Sequence, residues 1–242
     1  MDSNLPFPFF DNWVVPFGIT TSYLFMVFFL YNWMKKREAM KLNYILAIHN
    51  LILCVISIVI FVGFLKGIVI TLLEDGFSKL YCGSSQKNND LILYWASVIY
   101  LSKYYELLDT LFLILRKKPL TLLHVWHHFS VIYICWFATS DRMMSAWIHG
   151  SINSFVHILM YYYYAMQSVN PRKVWWRKYI TSIQIVQFVI DLVSSLLFIY
   201  FKLYVDMNCI GSWRFWFFSN LVGLSYLYLF VDLYNKENKK NE

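Results

Sequence analysis

Residues 42–65 read LNYILAIHNLILCVISIVIFVGFL, a stretch that contains no Asp, Glu, Lys or Arg. A helix needs about 20 mostly apolar residues to cross the hydrocarbon core of a bilayer. The stretch is long enough to do so and its few polar groups are small or aromatic. It therefore predicts a transmembrane helix and places the chain among integral membrane proteins.

The composition of the whole chain supports this class. Of the 242 residues, 59% are hydrophobic and only 14% are charged, whereas a soluble domain has about 45–50% apolar and about 25% charged residues. The aromatic share of 21% suits membrane interfaces and a lined cavity. The net charge of +7 comes from basic residues at the ends of apolar runs. These residues are expected to orient helices, so no nucleic-acid partner is predicted.

Six further stretches have the length and character of membrane helices. With residues 42–65, the candidate helices cover 14–34, 42–65, 91–115, 120–139, 143–165, 179–201 and 213–234. The connections between them are short and no linker interrupts the series. We therefore expect an all-α bundle of about seven transmembrane helices, forming a single domain over residues 1–242 with a short cytosolic tail from about residue 235.

The distribution of Lys and Arg predicts the orientation, because these residues accumulate on the cytosolic side. With a lumenal N-terminus, 14 of the 21 fall in cytosolic segments and six in lumenal ones. We expect a lumenal N-terminus and a cytosolic C-terminus. The chain ends in Lys239-Lys240-Asn241-Glu242, which resembles the retrieval signal of endoplasmic reticulum membrane proteins. The predicted location is therefore the endoplasmic reticulum membrane.

Two of the four cysteines fall in predicted lumenal loops. Cys82 and Cys209 are candidates for a disulfide, because the lumen is oxidising. Cys54 and Cys135 lie within apolar helices, where a free thiol is an ordinary small apolar side chain.

Ionisable side chains within a membrane helix cost about 2.5–3.5 kcal/mol each on insertion scales, so they indicate functional sites. The third candidate helix carries Lys103, Glu106 and Asp109 at i, i+3 and i+6. Lys103 and Glu106 are expected to pair, either as a structural ion pair or within a site. Asp109 then needs a partner elsewhere, for which a histidine is a candidate.

The fourth candidate helix carries His124, His127 and His128, whose spacing places three imidazoles on one stripe. A single buried histidine is usually an ordinary core residue, but three on one stripe indicate a chemical role. Two further helices carry polar groups at helical spacing: Asn153, His157, Met160, Tyr161 and Tyr164 on the fifth, and Thr181, Gln184, Gln187 and Asp191 on the sixth. The predicted topology brings all four helices' polar groups to one depth, which indicates one pocket open to the cytosol.

The chemistry of such a pocket has several interpretations. Membrane oxygenases with histidine boxes use about eight histidines for a di-iron site, and this chain has six in total, with His49 and His149 apart from the stripe. A single zinc on one stripe histidine and His157 remains an alternative. Without metal, histidine acts as a general base or a nucleophile. Because imidazole attacks thioesters well, acyl transfer on a lipid substrate fits these residues.

Four motifs together resemble a known family. They are Lys103-x-x-Glu106-x-x-Asp109-Thr110, His124-x-x-His127-His128, His157-x-x-Met160-Tyr161-x-Tyr163-Tyr164 and Thr181-x-x-Gln184-x-x-Gln187. In order and spacing they are similar to the signature motifs of the ELO family of very-long-chain fatty acid elongases. The resemblance implies a 3-ketoacyl-CoA synthase that condenses malonyl-CoA with a long-chain acyl-CoA and releases carbon dioxide and CoA. It implies no metal or redox cofactor.

The resemblance also implies roles for individual residues. Catalysis is expected of His124, His127, His128 and His157. Supporting or orienting roles are expected of Asn153, Asp109, Gln184, Lys103, Glu106 and Tyr161. Binding of the CoA phosphates is expected of Lys117, Lys118, Arg172 and Lys173, unless these residues only orient helices. A covalent acyl-histidine and a general-base mechanism both remain open.

Two other classes of function remain as alternatives. A seven-helix transporter would use histidine and aspartate as a proton relay through the membrane. A metal-dependent lipid oxygenase would use the histidines as ligands. For the elongase interpretation, the expected partners are membrane lipid, acyl-CoA and malonyl-CoA. A reductase and a dehydratase of the elongation cycle, and a second copy of the chain, are further candidates.

Overall fold

The computed structural model describes residues 12–171 and 174–239, apart from the side chains of Lys178, Glu237 and Asn238. This part of the chain is helical and contains no strand. The helices are α1 (Val14–Met34), α2 (Asn43–Cys82), α3 (Gln86–Glu106), α4 (Leu108–Leu115), α5 (Leu122–Ser140), α6 (Ala146–Val169), α7 (Arg177–Tyr200) and α8 (Trp213–Asn238). Because only Leu107 separates α3 from α4, the two form one crossing. The described chain therefore has the seven helices that the sequence predicts.

The largest difference from the predicted bounds is in α2. The prediction ends at residue 65, just before Lys66, but the helix continues to Cys82 with a break at Gly76, whose φ is 82°. Residues 43–75, before the break, span about 50 Å at 1.5 Å per residue, more than the hydrocarbon core. A single lysine does not end a helix, since the apolar pattern resumes directly after it.

Four crossings are long and apolar enough to span a membrane by length and composition: Val14–Met34, Asn43–Cys82, Tyr179–Val205 and Trp213–Lys236. The remaining three crossings are the pair α3–α4, the helix α5 and the helix α6. Lys103, His127 and His157 lie on these three elements. The polar side chains lower their hydropathy.

Six crossings form a closed ring. α2 packs against α3, α3 against α5, α5 against α8, α8 against α7, α7 against α6, and α6 returns to α2. α1 lies outside this ring and packs against α4 and α5. The interior of the ring is the space available for a site.

One end of the ring, here called the closed end, is filled by a buried apolar cluster. Its members include Tyr81, Met143, Ala146, Phe198 and Phe215. A disulfide between Cys82 and Cys209 joins the end of α2 to the segment that follows the π-helical turn Phe201–Val205. Ile210 N donates to Cys82 O at 2.7 Å beside it. The opposite end, called the mouth, contains the α4–α5 connection and the start of α7.

Candidate active site

A cavity of about 670 Å³ occupies the mouth half of the ring. Its walls come from α2 and from every crossing between α3 and α8. The lining includes these residues predicted from the sequence: Glu106, Asp109, His124, His127, His128, Asn153, His157, Tyr161 and Gln184. The structure therefore brings the polar groups of four helices to one chamber, because they occupy the inward faces at the same level.

Lys103 and Glu106 form a buried ion pair beside this chamber. Their side chains are 1% and 2% exposed, and Lys103 Nζ donates to Glu106 Oε1 at 2.9 Å and to Oε2 at 3.2 Å. Ser102 Oγ also donates to Glu106 Oε1, at 3.2 Å. A buried charge without its partner would be strongly destabilising, so each of the two charges requires the other.

Asn153 connects this ion pair to His157. Lys103 Nζ donates to Asn153 Oδ1 at 2.9 Å, which leaves the Asn153 amide NH₂ to donate to His157 Nε2 at 3.3 Å. This network assigns His157 Nε2 as an acceptor and places the proton on Nδ1, which lies 3.6 Å from Glu106 Oε1. A carboxylate that orients a neutral imidazole is the arrangement of a positioned base.

His124 differs from the other two histidines of the stripe. Its Nε2 lies 2.9 Å from Thr110 Oγ1, which in turn lies 3.0 Å from the hydroxyl of Tyr23 on α1. The His124 ring also packs against His128, with 4.4 Å between the ring centroids. The resemblance implies a catalytic His124, and this role stays a prediction; in the structure its Nε2 is occupied by Thr110. Thr110 belongs to the first sequence motif, whereas Tyr23 had no distinguishing signal in the helical pattern.

His127 and His128 keep unpaired nitrogens. Nδ1 of each is buried and has no hydrogen-bond partner within the described residues. The His127 ring packs against Tyr226 at 5.0 Å between centroids and against His128 at 5.4 Å. Leaving a buried polar group unpaired costs about 1–3 kcal/mol. Packing alone does not explain such groups, and both residues line the chamber.

The predicted histidine partner of Asp109 is His49. His49 Nε2 lies 2.7 Å from Asp109 Oδ1, and the Tyr161 hydroxyl donates to Oδ2 at 2.8 Å. His49 is buried, and its ring packs on Tyr105 and Phe112. His49 lies on α2, outside the histidine stripe, and it reaches Asp109 because α2 and α4, which are distant in sequence, meet in the ring.

A second cavity, of about 110 Å³, continues from the chamber toward the closed end. We call it the inner cavity. The two share His127, Asn153, Gln187 and Phe188 as a common wall. The inner cavity is mostly apolar and extends to Ala138, Ala146 and Phe215. A polar chamber followed by a narrow apolar cavity fits a substrate with a polar head and an acyl tail.

Comparisons with known proteins agree with this arrangement. The family model of the GNS1/SUR4 family, ELO, matches residues 8–242. The chain belongs to the ELO family. It is 35% identical over 236 residues to "Fatty acid elongase A" of Dictyostelium discoideum, covering 96% of this chain and 85% of that protein. It is 30% identical over 240 residues to "Very long chain fatty acid elongase 5" of Mus musculus, covering 94% and 76%.

ELO membership and the spanning helices together identify a multi-pass membrane protein. Within this ELO chain, the four sequence motifs surround one chamber rather than four separate places. Gln184, from the last motif, lines the chamber, where its Nε2 donates to Met160 Sδ at 3.6 Å. Its amide therefore lies within the chamber but holds only a weak partner.

The basic residues at the mouth differ in part from those predicted for CoA. Lys118 lines the chamber, together with Arg116 and Arg177. Lys117 does not, and its Nζ donates to the carbonyl of Lys35 at 3.4 Å on the exposed surface. Arg172 and Lys173, and Lys240 of the dilysine sequence, lie outside the described residues.

The histidines do not converge as metal ligands do. Among the described residues, no group of three or more His, Cys, Asp and Glu side chains has an arrangement that could hold a metal ion. Thr110 occupies His124 Nε2, and Asn153 faces His157 Nε2.

Proposed function

We propose that this fatty acid elongase catalyses the condensation step of chain elongation, as a very-long-chain 3-oxoacyl-CoA synthase. Malonyl-CoA and a long-chain acyl-CoA would give 3-ketoacyl-CoA, carbon dioxide and CoA. The observation that carries the proposal is the position of His127, an unpaired imidazole in the wall shared by the polar chamber and the apolar inner cavity. An acyl thioester bound across both cavities has its reactive carbon at this wall.

Substrate binding follows from the two cavities. The CoA phosphates bind Arg116, Lys118 and Arg177 at the mouth. The acyl tail enters the inner cavity, where each buried methylene contributes roughly 0.8 kcal/mol. His157 and Ala146 are eleven residues apart on α6, about 17 Å at 1.5 Å per residue. This depth suits a long acyl chain.

The first chemical step transfers the acyl group to the enzyme. A nitrogen of neutral His127 attacks the thioester carbonyl, the carbon–sulfur bond breaks, and the CoA thiolate leaves with the proton released from the other nitrogen of the His127 ring. The Asn153 amide, held in place by Lys103, is oriented to donate toward an oxyanion. His128 packs against His127 and is the alternative acceptor of the acyl group.

The second step forms the new carbon–carbon bond. Malonyl-CoA loses carbon dioxide, and the electrons of the broken bond form an enolate whose oxygen accepts hydrogen bonds from Gln184 or Asn153. The enolate carbon attacks the acyl carbon, the carbon–nitrogen bond to histidine breaks, the freed ring nitrogen takes up one proton from solvent, and 3-ketoacyl-CoA leaves. His157, oriented by Glu106, acts as the general acid–base group at this site. The step requires no redox cofactor.

The cellular setting is part of the same proposal. The mouth faces the cytosol of the endoplasmic reticulum membrane, where both CoA substrates are available, and the N-terminus is lumenal. The Lys and Arg distribution supports this orientation. A reductase and a dehydratase then act on the 3-keto product. The chain forms a single domain.

The test is an assay of purified protein with labelled malonyl-CoA and a panel of acyl-CoAs, without NADPH. A 3-ketoacyl product two carbons longer is expected, and it is absent with His127→Ala. Thr139→Ala is the matched control on α5, since Thr139 is buried, bonds only its own helix and lines neither cavity. Folded wild-type protein that forms no 3-ketoacyl product with any chain length would contradict the proposal.

The covalent step has its own experiment. Incubation with labelled acyl-CoA alone, followed by mass spectrometry of the peptides, is expected to find the acyl group on the peptide that contains His127. Activity without any acylated peptide would replace the covalent step by general-base catalysis and leave the condensation reaction in place.

A further inference from the structure

A polar pair lies on the wall of the mostly apolar inner cavity. His149 Nδ1 and Asp191 Oδ1 are 2.8 Å apart, and both residues line this cavity. Their side chains are 28% and 18% exposed. The condensation chemistry does not use either residue. A polar pair on the wall of an acyl cavity raises the question of which chain it accommodates.

The pair lies partway along the inner cavity. His149, Asn153 and His157 follow one another at four-residue steps on α6, so they share a face. His149 is therefore about 12 Å from His157 along the helix axis, toward the closed end. Ala146, near the floor, lies three residues farther. An acyl chain that runs from His157 to Ala146 passes the pair nearly three quarters of the way along.

Three other polar side chains of this wall already have hydrogen-bond partners. Ser195 Oγ donates to Asn220 Oδ1 at 2.7 Å, and Asn220 Nδ2 donates to Trp216 O at 2.7 Å. Ser219 Oγ donates to Trp216 O at 3.2 Å. The His149–Asp191 pair differs from these three side chains in offering unused hydrogen-bonding capacity.

The unused group is Nε2 of His149. Asp191 occupies Nδ1, and Nε2 makes no hydrogen bond within the described residues. Nε2 accepts a hydrogen bond when the imidazole is neutral and donates one when it is protonated. A hydroxyl group both donates and accepts, so it pairs with Nε2 in either state. A methylene group does neither and leaves Nε2 unpaired.

We propose that His149 and Asp191 form a polar subsite that selects acyl chains carrying a hydroxyl group at this depth over saturated chains of equal length. The inference rests on the proposed function and specifies its substrate class. His149 makes the contact with the hydroxyl, and Asp191 holds the imidazole in the orientation that directs Nε2 into the cavity.

The test is a positional series of acyl-CoAs of one length. The hydroxyl group moves along the chain, and the saturated and mid-chain cis-unsaturated chains serve as references. In wild type, kcat/KM is expected to peak for one position, at roughly ten times the saturated chain or more, since the bond replaces an unpaired polar group. Asp191→Leu and His149→Phe are expected to remove the peak. Ser219→Ala, in the same wall, is expected to retain it.

Several results would overturn the subsite. They are no positional peak in wild type, an unchanged peak in both variants, or a cis-unsaturated chain that gains as much as the hydroxylated one, which would indicate selection by chain bending. Binding is measured separately, as the rise in melting temperature caused by each acyl-CoA without malonyl-CoA. A hydroxyl-dependent rise in wild type but not in Asp191→Leu supports the subsite even if no condensation product forms, which distinguishes its failure from that of the proposed function.

Discussion

Of the substitutions considered, Lys103→Met is expected to destabilise the protein most. Lys103 Nζ makes three short contacts, two with Glu106 and one with Asn153, and the side chain is 1% exposed. After the substitution, the Glu106 carboxylate keeps only Ser102 Oγ at 3.2 Å and His157 Nδ1 at 3.6 Å. Its charge stays buried without a compensating ammonium group.

Removing one partner of a buried ion pair costs about 3–5 kcal/mol. For a chain of this size, 1 kcal/mol corresponds to roughly 2–4 °C in Tm, so Lys103→Met is expected to melt about 6–20 °C below wild type. Glu106→Gln combined with Lys103→Met removes both charges. The double variant is expected to recover much of the loss, because no unpaired charge remains.

Activity is expected to separate from stability in the double variant. His157 loses the carboxylate near Nδ1, and Asn153 loses the ammonium that holds Oδ1. A positioned acid–base group contributes about 10²–10⁴-fold to rate, so kcat is expected to fall by roughly 10²-fold or more despite the recovered stability.

The assay is thermal unfolding in detergent, followed by tryptophan fluorescence, for wild type, both single variants and the double variant. Lys236→Met is the matched control, since Lys236 pairs with Asp232 on the surface, where the two are 68% and 44% exposed. An exposed pair is worth about 0–1 kcal/mol, so Tm is expected to change little. A Lys103→Met protein that melts no lower than Lys236→Met would refute the reasoning.

Two further substitutions test the packing of the ring and its closed end. Gly150→Ala places a Cβ 2.6 Å from the fully buried ring of Phe64 and is expected to cost about 1–3 kcal/mol of stability. The control is Gly18→Ala, whose Cβ meets nothing within 4 Å, and it is expected to be neutral or stabilising. Equal Tm values for the two variants would contradict this reasoning. Cys82→Ser removes a crosslink to Cys209 across 127 residues and is expected to cost about 2–4 kcal/mol of stability. Its Tm is compared with that of oxidised wild type, and reduced wild type serves as a second reference. A Tm equal to that of oxidised wild type would show that packing alone holds this end.

Sequence patterns predicted much of the fold because each membrane helix needs its own apolar stretch of sufficient length. α1 begins and ends at the predicted residues, 14 and 34. The spacing of Lys103 and Glu106 predicted their pairing, since residues three apart on a helix face each other. Depth also followed from the order of the helices, which brought the motifs to one level.

Contacts between helices were not predictable in the same way. His49 and Asp109 are 60 residues apart, and His149 and Asp191 are 42 apart. No spacing rule connects such positions, because their meeting depends on which helices are neighbours in the ring. One signal was available: His149 precedes Asn153 by four residues, which places it on the face of the site.

The disulfide-linked cluster at the closed end has a consequence for turnover. Tail-first entry requires head-first exit, so a finished chain has to retreat its full length through the mouth. Each methylene drawn from the apolar wall adds about 0.8 kcal/mol, roughly a fourfold slower departure. The chains that fill the cavity most completely are therefore also the slowest to leave, and dissociation rather than bond formation is expected to limit the rate for the longest products.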